Sequence, residues 1–217
     1  MENLKKLSFM ERQTDLSFNG VSLKVLSSED LELVRIWRNS PEVSSFMYSE
    51  DQISADQQVR WFEKINQDSS SIYWVITHNK IKVGLASITA IDYNLSSCFL
   101  ASYLGEPESR SKGIGSKVEL LIIQYVFNVL KLNKLRCEVF VTNERGIRIH
   151  EKFGFRREAY FREHCLKNNN KFDVIGLALL KSEWEILSSY YEQKLGQTTM
   201  ENTSFNSSII TIATATS

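Results

Sequence analysis

The run Arg110-Ser111-Lys112-Gly113-Ile114-Gly115-Ser116 gathers cations, hydroxyls and two glycines in one short segment, a set suited to holding an anion. Ahead of it, residues 97–104 (SCFLASYL) form an apolar run of strand length. Behind it Val118, Leu121, Ile122, Tyr125, Val126, Val129 and Leu130 recur at helical spacing, as in a long amphipathic helix. The turn therefore opens a helix. At such an end the first amides lack intrahelical partners and the dipole is positive, so main chain alone can bind negative charge. Glycine lets the backbone approach that charge closely. A tight turn with no ligand would use the same glycines. Two other phosphate loops are excluded: the dinucleotide fingerprint needs a third glycine where Val118 stands, and no Gly-x-x-x-x-Gly-Lys-Ser/Thr string occurs.

Two side chains beyond the loop could move protons. Strand alternation over 136–141 puts Cys137, Val139 and Val141 on one face and Arg136, Glu138 and Phe140 on the other. Glu138 is then a carboxylate on the less apolar face, beside a basic neighbour. His150 falls on a short helix capped by Asn143, and imidazole titrates near neutrality. A solvated histidine on a helix face would look the same. Tyr103 and Tyr160 are further hydroxyl donors, while His78 and His164 fall at a turn and a strand end. These histidines show no i, i+4 pairing, so no metal site is expected. Cys98, Cys137 and Cys165 are odd in number, lack a C-x-x-C pair and sit in apolar strand-like runs. They read as reduced core residues of a cytosolic protein.

Positioning these groups takes a sheet with helices packed on it. A first strand is expected at 22–26, then a helix from 27 or 28 that ends before Pro41, and a loop over 39–53. A second helix carries Val59, Trp61, Phe62 and Ile65, with strands at 73–77 and 81–91 joined by His78-Asn79-Lys80. After the anion loop and its helix come a strand at 136–141 and a helix from Asn143 to about Lys152, ended by Gly154. Strands at 159–166 and 172–180 flank Asn168-Asn169-Asn170, and a last helix from Ser182 holds Trp184, Ile186 and Leu187. Trp61, Trp74 and Trp184 read as core. The alternation of types predicts one α/β domain with a mixed, mostly antiparallel sheet and helices on both faces.

Bulk properties agree. With 217 residues and 42% hydrophobic content the chain can bury one good core, and a net charge of zero gives no field to attract nucleic acid or an anionic membrane. The N-terminal segment lacks the uninterrupted apolar stretch of a signal peptide and no run reaches membrane-spanning length, so a cytoplasmic protein is expected. We divide the chain into an extension (1–19), a domain (20–195) and a flexible Ser/Thr/Asn-rich tail (196–217), whose apolar piece 209–213 could pair on a sheet edge.

The Arg-x-x-Gly-x-Gly string of Arg110, Gly113 and Gly115, within this order of elements, resembles the acyl-coenzyme A signature of the GCN5-related N-acetyltransferase superfamily, over roughly residues 20–187. The strings WRNSPEV, FMYS, LNKLRCEVFVTN, IHEKFGF and KFDVIGLALLKSEW are similar to one branch of it. That branch acetylates the 4-amino group of a UDP-linked 4-amino-4,6-dideoxy sugar in pseudaminic acid biosynthesis, for flagellin glycosylation. The resemblance implies acetyl-CoA as co-substrate and a sheet splayed between the strands at 97–104 and 136–141. It places the pantetheine arm on backbone groups near Tyr103 and Leu104. The pyrophosphate falls on Arg110 and on amides of Ser111, Lys112, Gly113, Ile114, Gly115 and Ser116. Asn143 matches an asparagine that contacts the coenzyme, and serves equally as a helix cap. Glu138 matches a proposed general base. His150 stands where many members carry the tyrosine that protonates the leaving thiolate. Arg38, Met47 and Tyr48 match positions near the nucleotide-sugar, although Arg38 also reads as a helix-surface residue. The basic residues of 144–164 form a mixed face that could reach the coenzyme's 3′-phosphate. No metal, nucleic acid or membrane is implied, and a monomer or homodimer is expected. A protein N-terminus or a polyamine as acceptor, or a non-catalytic acyl-CoA-binding regulator, are the other readings.

Overall fold

The computed structural model describes residues 13–197, and the tail from 198 onward, including 209–213, lies outside the described residues. The chain runs β1 (Leu16–Phe18), β2 (Val21–Val25), one 3-10 turn (Ser28–Asp30), α1 (Leu31–Asn39), α2 (Pro41–Ser44), α3 (Ala55–Gln67), β3 (Ile72–His78), β4 (Ile81–Asp92) and β5 (Ser97–Leu104). After a second 3-10 turn (Pro107–Ser109) and the loop at 110–113 come α4 (Ile114–Gln124), a π-helical turn (Tyr125–Val129), β6 (Lys134–Phe140), α5 (Glu144–Lys152), β7 (Arg156–Lys167), β8 (Asn170–Leu180) and α6 (Lys181–Gln197). One sheet holds the strands in the order β1-β2-β3-β4-β5-β6-β8-β7. All pairs are antiparallel except β5 with β6.

Local chemistry explains the turns. Asn79 (φ 50°) and Lys80 (φ 68°) link β3 to β4, and Asn168 (φ 46°) and Asn169 (φ 61°) link β7 to β8. Both central residues of a two-residue hairpin need positive φ, which asparagine tolerates. Pro41 does more than end the preceding helix: it takes the first position of α2, where its missing N–H costs nothing. The segment read as an extension contributes β1, which pairs with β2 through Leu16↔Leu23 and Phe18↔Val21.

Alternation along β3 splits the core between the two faces. Trp74 and Ile76 pack with residues of α4, α5 and α6, whereas Val75 joins Leu26, Val34 and Trp37 beneath α1 and α3. The expected amphipathic helix after Gly115 is instead buried nearly all round: Val118, Leu120, Leu121, Ile122, Ile123, Tyr125, Val126 and Phe127 are all inside. Trp74 and Trp184 are core as expected, but Trp61 is half-buried, with its ring edge-on to Tyr73. Ile186 and Val59 face outward at 82% and 46% exposure, contrary to the helical reading of their spacing. Cys98 and Cys137 are buried, while Cys165 is half-buried. Burial pushes the Cys98 thiol up to about 12, so it stays protonated.

Candidate active site

β5 and β6 pair only through Ser97↔Lys134, Cys98↔Leu135 and Phe99↔Arg136. Beyond these, Leu100 to Leu104 remain bonded to β4, and Cys137 to Phe140 to β8, so the two strands diverge. The cleft that opens between them has a volume of about 1100 Å³. It receives the side chains of elements far apart in sequence, from α1 to α5.

The loop at 110–116 borders one end. Ser111 (φ 68°) and Gly113 (φ 74°) both adopt the left-handed conformation that turns successive amides toward one side. The α4 ladder starts with Lys117 N–H donating to Gly113 O at 3.3 Å, ahead of which lie the amides of Ile114, Gly115 and Ser116. A Cβ on Gly113 would meet nothing within 4 Å, so the space above it is open to a ligand. Arg110, Ser111, Gly113, Ile114, Gly115 and Ser116 line the cleft; Lys112, expected with them, does not. Tyr103 and Leu104 line the adjoining wall, and the Leu104 carbonyl accepts a long 3.4 Å contact from Arg110 Nη2. Asn143 caps α5 by accepting from Gly146 N–H at 3.0 Å and also borders the cleft, so its two readings coexist. Ser111, Gly113 and the α4 amides thus form a concave turn at a helix N-terminus, a geometry that suits an anion in general.

Glu138 faces the opening. Tyr48 Oη donates to Glu138 Oε2 at 2.6 Å, joining two candidate residues 90 positions apart in the chain. Burial first, then this bond, raises the Tyr48 phenol's pKa, so it remains a donor. Met47 and Arg38 lie on the same wall, and Arg38 Nη2 donates to Ser49 Oγ at 2.8 Å. Burial lowers the Arg38 pKa against the opposing influence of Tyr103, and raises that of Tyr103 against Arg38. The Tyr103 hydroxyl and Gln58 Nε2 are buried without hydrogen-bond partners among the described residues.

The Met47–Tyr48 loop is held by the β7–β8 hairpin tip. Lys167, 5% exposed, donates to the carbonyls of Ser44 and Ser45 at 3.0 Å each, and lies 5.5 Å from the Phe140 ring centroid. Asn168 donates twice to Glu50, through N–H at 2.9 Å and Nδ2 at 2.8 Å. Nothing local in the sequence marks Lys167, next to the Asn168-Asn169-Asn170 turn, as buried. Hydrogen bonds to a charged group contribute about 1.5–3 kcal/mol. Lys167→Met is therefore expected to weaken the hold on this loop by about 1.5–3 kcal/mol and to lower the melting temperature. Thermal unfolding together with limited proteolysis of the 44–50 loop checks this, and an unaltered midpoint and cleavage rate would show that the loop holds without the lysine.

His150 is not a solvated helix histidine. Its ring lines the cleft floor, 13% exposed, with Nδ1 2.8 Å from Oε1 of Glu119, itself 2% exposed. Burial disfavours the imidazolium, but the Glu119 carboxylate and the adjacent Cys137 thiol outweigh it and hold His150 well above its ordinary value. Sequence reading missed Glu119, a lone acid among apolar helix positions. Tyr160 is displaced from the candidate donors: it is 57% exposed on β7, donates to Asp173 Oδ2 at 2.5 Å and lies outside the cleft. His164 packs against the rings of Tyr48 and Phe161. Of the basic 144–164 segment, Arg148, Arg156 and Arg157 are paired with Glu144, Glu183 and Glu151, whereas Arg145 borders the cleft.

A family model described as the acetyltransferase (GNAT) domain matches residues 21–156. The chain belongs to this GNAT family. It is 28% identical over 148 residues to an acetyltransferase named PseH from Campylobacter jejuni (strain 81-176), covering 67% of this chain and 90% of that protein. It is 24% identical over 165 residues to the spermidine N(1)-acetyltransferase of Vibrio cholerae, covering 76% of this chain and 95% of that one. The crystal structure of the Vibrio cholerae spermidine N-acetyltransferase with CoA and spermine superposes with a TM-score of 0.72 at 24% identity, over 76% of this chain and 98% of that one. At that identity the likeness is one of fold. This GNAT protein is an N-acetyltransferase, and its cleft lies between the two strands that the sequence reading expected to splay. Among the described residues, no cluster of three or more His, Cys, Asp or Glu could hold a metal ion, and no helix is long and apolar enough to cross a membrane.

Proposed function

We propose that this enzyme transfers the acetyl group of acetyl-CoA to the 4-amino group of a UDP-linked 4-amino-4,6-dideoxy sugar, the step found in pseudaminic acid biosynthesis. The observation that carries the choice of acceptor is the polarity of the acceptor end of the cleft. Its polar groups are donors: among the described residues the Tyr103 hydroxyl and Gln58 Nε2 are buried without partners, and the Arg38 guanidinium donates to Ser49 Oγ through one of its nitrogens and has further N–H groups to offer. Of the carboxylates lining the cleft, Glu119 is engaged by His150 and Glu138 by Tyr48, leaving Glu42. A polycation needs free carboxylates, whereas a nucleoside diphosphate needs donors. Arginine can hold a diphosphate bidentately, and Tyr48 offers an aromatic ring to a sugar or base. The kinship with PseH supports the same reading.

When bound, acetyl-CoA supplies a thioester carbonyl open to attack. The loop from Ser111 to Ser116 holds its pyrophosphate end, and the walls orient both reactants, which can contribute up to roughly 7–11 kcal/mol of the barrier reduction. Glu138 takes the proton from the attacking amine, directly or through one water. His150 gives a proton to the departing sulfur.

A comparable kinship to spermidine acetyltransferases makes the polyamine the rival acceptor. Release of free thiol from acetyl-CoA decides between them, with the UDP-amino sugar, spermidine and an Ala-starting peptide as acceptors. The sugar is expected to show kcat/KM at least ~10²-fold above the others, since a site built of donors rejects acceptors that leave them unpaired. Preference for spermidine or the peptide would overturn the acceptor assignment. Acetyl-CoA binding without turnover on any amine would favour a regulatory module.

A further inference from the structure

Glu119 occupies a position where a carboxylate is costly. Its neighbours on α4, Val118, Leu120, Leu121, Ile122 and Ile123, are all buried and apolar, and Glu119 is itself 2% exposed. An ionised carboxylate so placed is strongly unfavourable unless paired. Its hydrogen-bond partner is His150 Nδ1, at 2.8 Å. A core position that needed only packing would be served better by leucine, so the pair calls for a chemical reason.

We propose that Glu119 is a positioning residue that fixes the His150 ring as an imidazolium at the floor of the cleft, and thereby makes His150 the proton donor to the leaving thiolate. This rests on the acetyl-transfer reading above. Glu119 occupies Nδ1, so the ring's other nitrogen carries the transferable proton. As the amine nitrogen bonds to the acetyl carbon, the carbon–sulfur bond breaks and its electron pair goes to sulfur. The His150 proton goes to that sulfur and the amine proton goes to Glu138. Amide and thiol leave neutral, and solvent returns the proton balance.

The charges around His150 are accounted for from each packed element. Glu119 faces it from α4 and Cys137 from β6. Phe155 lies 5.2 Å away, ring centroid to ring centroid, and adds no charge. On α5 itself, Arg148, Glu151 and Lys152 are bonded elsewhere, to Glu144, Arg157 and Ser116. Glu119 also sits five positions beyond Ile114 on the helix whose first amides face the anion site, roughly 8 Å along its axis. One rigid element therefore sets both the anion cradle and the proton donor.

The test joins two readouts. Nuclear magnetic resonance titration of the His150 ring in the unaltered enzyme is expected to show a midpoint well above the ordinary histidine range, and Glu119→Gln is expected to lower it. This readout requires no acceptor, so it stands or falls apart from the choice of sugar. The pH profile of kcat, with whichever amine turns over, is expected to lose its alkaline side in Glu119→Gln. The loss should reach roughly 10²-fold at high pH, with KM for acetyl-CoA unchanged. Glu119→Asp should restore part of it. His150→Tyr, which installs a donor of higher pKa, should move the alkaline limb upward. An ordinary midpoint in the unaltered enzyme would overturn the proposal without need of any variant. An alkaline limb that stays put while the ring titration shifts would likewise overturn it, leaving the acetyltransferase assignment intact.

Discussion

Glu138→Gln is expected to lower kcat by roughly 10²- to 10⁴-fold, the span attributable to one general base, while acetyl-CoA affinity stays within about twofold. The substitution is well suited to the question. Glu138 is exposed at the cleft and bears no core packing, so the fold should not suffer. The glutamine carbonyl can still accept the Tyr48 hydroxyl, so the 2.6 Å contact survives and only proton acceptance is lost. Single-turnover kinetics with calorimetric measurement of acetyl-CoA binding separates chemistry from affinity. A kcat equal to that of the parent enzyme would remove Glu138 from the mechanism and leave amine deprotonation to solvent. Because positioning of the reactants supplies the larger share of rate enhancement, complete loss of activity is not expected.

Gly113→Val should act on the other substrate. Gly113 has φ 74°, and a β-branched residue held there costs on the order of 1–3 kcal/mol, equivalent to roughly 5- to 150-fold in affinity when binding requires that conformation. The added side chain would also project into the open space above the loop, where the anion is expected. Both effects oppose binding, so acetyl-CoA affinity should fall by roughly 10²-fold or more. Calorimetry on folded protein checks this, with circular dichroism as the control for structure. Undiminished affinity in a folded variant would refute the cradle and reassign the loop to a turn without a ligand.

Where local rules governed, the chain was legible. Period-two alternation along 136–141 separated buried Cys137 and Val139 from exposed Glu138, and the paired asparagine turns announced both hairpins. Asn143 declared its cap because capping is a matter of neighbours three residues away. The strand Leu16–Phe18 is too short to show alternation and owes its existence to β2. Phe140 broke the pattern from the other direction: it is buried although it shares the Glu138 face, because Tyr48 and Phe172 cover it. Tyr48 with Glu138, Glu119 with His150, and Lys167 with Ser44 and Ser45 are contacts between distant segments. No spacing rule anticipates them. In sequence a buried acid and a buried lysine are indistinguishable from the solvated charges around them.

The three residue pairs joining β5 to β6 leave a sheet made of two half-sheets, five strands on one side and three on the other. Past Phe99 and Arg136 the facing edges of β5 and β6 have no ladder between them. An extended ligand carrying amides of its own, laid in that wedge, would pair with both edges and act as a splint across the seam. The stiffness of the frame that holds Glu138 over the cleft floor would then depend on occupancy as well as on the chain.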